Sequence, residues 1–314
     1  MVLHKDTGSD TMSPFPPELQ SYTQLRFDDR IIRENKLQRY RVNIIDITHP
    51  DDTLIDVYTS FSEPQLRHYR DPSGGIFIAE SCKVITRALN GGMKPESVLV
   101  DVAVFEKEEV QELLTKLGDV PVYRAPTDVM ESITGYHLTG GILCSMTRPE
   151  LPSAEAVLAD ASKTHSRIAV LENIVNPTNV GAVFRSAAAF NIDAVLLTEG
   201  TCDPLERRAM RVGMGTMFQL PWTFISREDV CGTLRSLGYK SAAMALVNDS
   251  LTLDSPILKD EPRLAVLIGN EGNGLTDETI GNADYKVIIP MSHEVDSLNA
   301  AAASAVAFWE LTHS

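Results

Sequence analysis

The sequence predicts an α/β protein whose C-terminal half is built on a mostly parallel sheet. From residue 168 onward, short apolar runs alternate with helical patterns at the spacing of strand–helix units. The same alternation occupies residues 41–148, and a stretch rich in Ala, Ser and Asp separates the two blocks. The final runs stop at loops of unusual composition, as ligand-binding edges of parallel sheets do.

In chain order, residues 1–20 mix Gly, Ser, Thr, Asp and Pro and read as a flexible tail, with a charged helix expected over 23–40. Strands are expected at 75–80, 97–102, 120–124 and 141–145, with helices at 81–89 and 107–117. Residues 149–166 read as a linker with a short helix near 155–160. Beyond it, strands are expected at 168–172, 193–197, 218–225, 240–246, 264–268 and 286–289. Helices are expected at 179–190, 204–212 and 226–237, and an alanine-rich one from residue 300. The boundaries are therefore 1–40, 41–148, 149–166 and 167–314.

Composition narrows the class. The chain has 314 residues, 43% hydrophobic and 23% charged, in the range of globular proteins and long enough for two domains. No apolar run approaches the roughly 20 residues that span a bilayer, and no basic-then-apolar leader opens the chain. Cys82, Cys144, Cys202 and Cys231 are scattered and lack metal-ligand spacing, as do the seven histidines, so free thiols in the cytoplasm and no metal are expected. A net charge of −15 opposes nucleic-acid binding, since phosphate contacts need Lys and Arg. Two local clusters run the other way: Arg26 to Arg41, and Arg207, Arg208 and Arg211. Each is either a solvated helix face or an RNA contact. A nicotinamide oxidoreductase is disfavoured, because no Gly-x-Gly-x-x-Gly follows a strand.

The loops carry the chemistry. The run 264–268 ends in Gly269, Asn270, Glu271, Gly272, Asn273 and Gly274. The run 286–289 ends at Pro290, and Ser297, Leu298 and Asn299 open the alanine-rich helix. Upstream, Asn173 to Ala187 contains Asn179, Gly181, Ala182 and Arg185. These three segments, in this order, resemble the signature motifs of the SpoU/TrmH family of RNA ribose methyltransferases. The resemblance covers the chain from residue 168 to its end. Residues 76–84 are similar to the strand–Glu–helix segment of the small ribosomal-protein-like domain that precedes many such catalytic domains, although Ser81 follows Glu80 where the family usually has Gly.

The resemblance implies a deep trefoil knot, a homodimer, and S-adenosyl-L-methionine bound through main-chain groups of Gly269, Ile289 and Leu298. From the residues alone, Ile289 and Leu298 could equally be ordinary core. It implies active-site roles for Asn179, Arg185, Glu271, Ser297 and Asn299. Guanidinium stays protonated in proteins, so Arg185 is read as a phosphate anchor and alkoxide stabiliser rather than a base. Asn179 is read as a helix cap, a site residue or both. Glu271 either orders its loop or accepts a proton. One of Ser297 and Asn299 caps the last helix. His293 and Asn191 stand where the family commonly has Gly or a small residue. The expected activity is 2′-O-methylation of RNA, ribosomal rather than transfer RNA, with a non-catalytic RNA-binding protein as the competing class.

Overall fold

The computed structural model describes residues 43–70, 74–159, 163–293 and 297–313. The expected N-terminal tail and the charged helix over 23–40 lie outside the described residues.

Two sheets organise these residues. The first has five strands: β1 (Ile44–Asp46), β2 (Ile76–Glu80), β3 (Pro95–Asp101), β4 (Val122–Ala125) and β5 (Ile142–Thr147), in the order β1-β4-β3-β5-β2. It is mixed, because β5 runs antiparallel to both β2 and β3. The second has seven strands: β6 (Ser166–Leu171), β7 (Ala194–Thr198), β8 (Trp222–Ile225), β9 (Lys240–Met244), β10 (Leu251–Thr252), β11 (Arg263–Ile268) and β12 (Tyr285–Ile288). Their order is β10-β12-β9-β11-β6-β7-β8, and every pairing between them is parallel. The central strands β6, β7 and β11 are buried on both faces, which is why they read as continuous apolar runs rather than alternating ones.

Alternate residues of β6 serve opposite faces. Ala169 and Leu171 join the cluster containing Val183 and Phe184 of helix Pro177–Ala189 and Phe308 of helix Ala300–Thr312. Ile168 and Val170 join the cluster containing Leu234 and Leu275. The first of these clusters does not stop at the second sheet. It continues through Met217 into Phe77 of the first sheet and Val84 and Ile85 of the helix Cys82–Asn90 that follows β2, and Phe77 stacks on Phe218 with ring centroids 5.6 Å apart. Polar contacts reinforce this seam. Arg148 donates to Asp203 at 2.5 Å, Arg87 donates to the Met214 carbonyl at 2.6 Å, and Glu63 accepts from the Arg207 amide at 3.2 Å.

Several departures from the sequence expectations have a clear physical cause. Within 218–225 only Trp222–Ile225 is strand, and Thr216–Phe218 is a 3-10 turn whose Phe218 is claimed by the seam. The helix expected from 226 begins at Val230, because Asp229 caps it from a left-handed conformation. The short edge strands β1 and β10 have too few residues to carry a period of two. The stretch 149–166 is docked rather than loose: Ala154 and Leu158 enter a core cluster, the Pro152 carbonyl accepts from Thr223, and Ser166 already belongs to β6.

All four cysteines are free, with Cys144 and Cys231 buried and Cys82 and Cys202 half-buried. Desolvation first, and then Glu109, pushes the Cys82 thiol up to about 11, so it is held as an unreactive thiol. No helix among the described residues is long and apolar enough to cross a membrane.

Candidate functional site

The carboxyl ends of β6, β11 and β12 bring the three motif segments together. Helix Pro177–Ala189 starts two residues earlier than its apolar pattern suggests. Pro177 sits at the first turn, where its missing N–H costs nothing, and Asn176 is the cap, accepting from the Thr178 amide at 2.9 Å. Asn179 is thereby released from capping. It is 5% exposed, and its side chain points sideways into the second motif.

Asn179 Nδ2 donates to Glu271 Oε1 at 2.8 Å, and Asn179 Oδ1 accepts from Asn299 Nδ2 at 3.1 Å. One hydrogen-bonded chain therefore runs Asn299–Asn179–Glu271 and contains one residue from each motif. Asn299 also caps helix Ala300–Thr312, its Oδ1 accepting from the Ala301 amide at 2.9 Å. The cap fixes the rotamer that lets its amide nitrogen face Asn179. The last helix also packs directly on helix Pro177–Ala189.

The glycine-rich loop holds its own shape. Asn270 Oδ1 accepts from the amides of Gly272 and Asn273, and Asn270 Nδ2 donates to the Asn173 carbonyl at 2.8 Å. Asn270 also bridges Gly274 through backbone bonds in both directions. At Gly269 an added Cβ would stand 2.2 Å from the Gly274 carbonyl carbon and the Leu275 amide nitrogen. The residue must be glycine because its own loop crosses it, a different reason from close approach by a ligand. Beneath the loop, the buried Glu172 accepts from the Thr276 amide at 2.8 Å. Asn173, Asn270 and Glu172 are supports that sequence reasoning passed over. The signal for Asn270 was an Asn two residues before a Gly, which is an Asx turn.

Arg185 and Ser297 stay outside the hydrogen-bonded chain, and both are exposed. Arg185 lies six residues beyond Asn179, which turns it roughly 120° around the helix. Among the described residues nothing pairs with its guanidinium, so its charge is available to an anion.

Ile289 is half-buried against the core, whereas Leu298 is 39% exposed, which rules out ordinary core packing for Leu298. Among the described residues, the backbone groups of Gly269, Ile289 and Leu298 take no backbone hydrogen bonds. Three main-chain segments without backbone partners among the described residues, and an exposed leucine, leave room for a ligand held through main-chain groups beside an apolar wall. No group of three or more His, Cys, Asp or Glu side chains among the described residues is arranged to hold a metal ion.

The stretch that carries these residues matches a known family. The profile of the SpoU rRNA Methylase family matches residues 166–309. An uncharacterized tRNA/rRNA methyltransferase of Mycobacterium bovis is 34% identical over 278 residues, covering 87% of this chain and 93% of that protein. The chain belongs to the SpoU rRNA methylase family. The 23S rRNA (guanosine(2553)-2′-O)-methyltransferase RlmP of Bacillus subtilis is 26% identical, covering 68% of this chain and 85% of that one. In fold, the chain is similar to an AdoMet-bound rRNA methyltransferase from Sinorhizobium meliloti. The TM-score is 0.72 at 22% identity, over 85% of this chain and 97% of that one. The SpoU methyltransferase AviRb from Streptomyces viridochromogenes gives a TM-score of 0.67 at 20% identity, over 82% and 94%.

Proposed function

We propose that this protein transfers a methyl group from S-adenosyl-L-methionine to a ribose 2′-hydroxyl of RNA in the cytoplasm, with ribosomal RNA as substrate. The observation that carries the reading is the Asn299–Asn179–Glu271 chain, which joins the three motifs, with Arg185 on the same helix as Asn179 and unpaired among the described residues. The rRNA methyltransferases among its relatives support the substrate class.

Gly269, Ile289 and Leu298 would hold the cofactor by their backbone groups, with Leu298 against its apolar part. When bound, the cofactor supplies an electrophilic methyl group on a sulfonium. The protein's own residues do the rest. Arg185 binds the phosphate beside the target ribose and stabilises negative charge developing on the 2′-oxygen. It remains protonated throughout. Asn179 fixes Glu271 through Oε1, leaving Oε2 as an acceptor for the hydroxyl proton. Ser297 lines the ribose edge and Asn299 keeps Asn179 in register. Alignment supplies most of what an in-line displacement of this kind requires.

Three structural proposals accompany this. Residues 41–148 present the RNA, as a domain distinct from the catalytic residues 167–314. The segment after β12 is knotted: β12 lies beyond β9 from β11, yet the last helix returns to pack on helix Pro177–Ala189. The protein acts as a homodimer, because Val306 and Trp309 of that last helix are 42% and 52% exposed.

The test uses labelled S-adenosyl-L-methionine with unmodified ribosomal and transfer RNA, followed by nuclease digestion. Labelled 2′-O-methyl nucleosides from the ribosomal pool are expected. Label confined to transfer RNA would replace the substrate, and label on a base would refute the ribose assignment. Failure to bind the cofactor would favour a non-catalytic RNA-binding protein.

A further inference from the structure

Helix Arg207–Val212 carries a basic face toward the seam between the sheets. Arg208 and Arg211 lie one turn apart, and both are exposed. Arg208 Nε donates to Thr178 Oγ1 at 2.9 Å, and Thr178 immediately precedes Asn179. Arg211 Nη1 donates to the Tyr136 hydroxyl at 2.7 Å, and its guanidinium lies over the Tyr136 ring, 5.1 Å from the centroid. An unbroken line of contacts therefore leaves the catalytic asparagine, crosses the basic helix and ends on an aromatic ring supplied by the first sheet's half.

That ring is both exposed and immobilised. Tyr136 is 39% exposed, yet its hydroxyl donates to Glu80 Oε2 at 2.8 Å. Glu80 is buried at the end of β2, with Arg211 3.6 Å away. The backbone beneath is unusual too: Ser81 is held at φ 80° and ψ 149°, a region close to glycine-only. A solvent-exposed tyrosine gains little for folding by being fixed in this way. A fixed ring with a cation behind one face is a preformed stacking platform. The charge is placed to match. On a chain of net charge −15, Arg208 bonds, among the described residues, only the Thr178 hydroxyl, and no described carboxylate pairs with it.

We propose that Tyr136, Arg211 and Arg208 form a binding strip for a single-stranded stretch of the substrate RNA. An unpaired base stacks on the open face of Tyr136, and Arg208 takes a phosphate between that base and the target ribose. This deepens the reading above and rests on it for the identity of the polymer. Stacking on aromatic rings is how proteins select unpaired RNA, because A-form duplexes keep their bases inaccessible. The strip therefore makes the substrate a loop or bulge rather than a continuous helix.

The competing role is a clasp between the two sheets, and two variants separate them. Tyr136→Phe removes the hydroxyl bonds and keeps the ring. Tyr136→Leu removes both and keeps apolar bulk. Full-length protein is titrated into a fluorescent 12-nucleotide oligouridylate and, separately, into a 12-base-pair RNA duplex. Cofactor affinity is measured by calorimetry on each variant. The expected result is preference for the single strand, binding within about threefold for Tyr136→Phe, and a loss of about tenfold or more for Tyr136→Leu. Cofactor binding stays unchanged in both. Arg208→Gln is expected to lower the salt slope of single-strand binding by about 0.7, the value of one phosphate contact. Equal affinities for Phe and Leu variants, or preference for the duplex, would overturn the strip. Tyr136-dependent binding of a single strand without methylation of any RNA would remove the reaction and leave the strip standing. Methylation at unchanged KM in Tyr136→Leu would do the reverse.

Discussion

Two arginines, one on β6 and one on the helix that follows it, are treated in opposite ways. At the amino ends of the strands, Arg167 is the second residue of β6 and is 7% exposed. Its guanidinium donates to backbone carbonyls of Leu311, Glu261, Lys259, Leu258, Pro262 and Ser166. Desolvation lowers its pKa first, and Glu261 and Asp193 oppose that shift. This arginine is spent on carbonyls at the ends of helices Pro256–Asp260 and Ala300–Thr312, where helices leave acceptors unpaired. On the helix that follows β6, Arg185 is exposed and pairs with no described residue. The same side chain type is enclosed by carbonyls at one position and left open to solvent at the other. Burial and partner count, not residue identity, distinguish them.

Mutating each arginine should separate stability from catalysis. Arg185→Ala is expected to fold normally, with unfolding free energy within about 0.5 kcal/mol of the parent, and to lose about a thousandfold in methyl transfer, roughly 4 kcal/mol. A retained rate in a single-turnover assay would remove Arg185 from the mechanism. Arg167→Ala should lower stability by about 3 kcal/mol, since several buried carbonyls lose a charged donor together. Urea unfolding measures this, and a midpoint equal to that of the parent would contradict the clamp. Asn299→Ala tests a residue serving both ends of the comparison. The lost cap should cost about 1 kcal/mol in urea, and the rate should fall as well. Asn299→Ser, which restores a cap but cannot reach Asn179, should recover stability alone. Smallest is Ser81→Gly, expected to raise stability by about 1 kcal/mol or less through relief of the positive φ. An unchanged or lower urea midpoint would mean that the Ser81 hydroxyl contributes more than the backbone loses.

Much of the architecture could be read from the chain because its strands are buried on both faces. β6, β7 and β11 appear as apolar runs of five or six residues, the length of strands rather than of helices. The assembly of Asn179, Glu271 and Asn299 came from motif resemblance, since 92 and 120 residues separate the bonded pairs and no local pattern joins them. The role of Asn179 was only half readable: a cap-type residue near a helix start suggests a cap, and only the position of Pro177 hands that role to Asn176. Three substitutions noted in the sequence acquire a common physical cause. Ser81, Asn191 and His293 stand where the family commonly has Gly or a small residue, and all three have positive φ, at 80°, 54° and 60°. Asn tolerates that region readily, whereas Ser and His carry more strain there. The seam was not legible at all. Arg148–Asp203 and Tyr136–Arg211 join positions whose sequence context is ordinary loop and surface.

The position of Asn299 near the end of the chain has a consequence for synthesis. Translation proceeds from the N-terminus, and earlier segments fold first. Helix Pro177–Ala189 and the glycine loop are both made before the residue that bridges to Asn179 emerges. The face of that helix destined for Ala300–Thr312 stays uncovered until that later helix has been made. The bond that ties Asn179 to the third motif therefore closes only after both of the other motif segments have been synthesised.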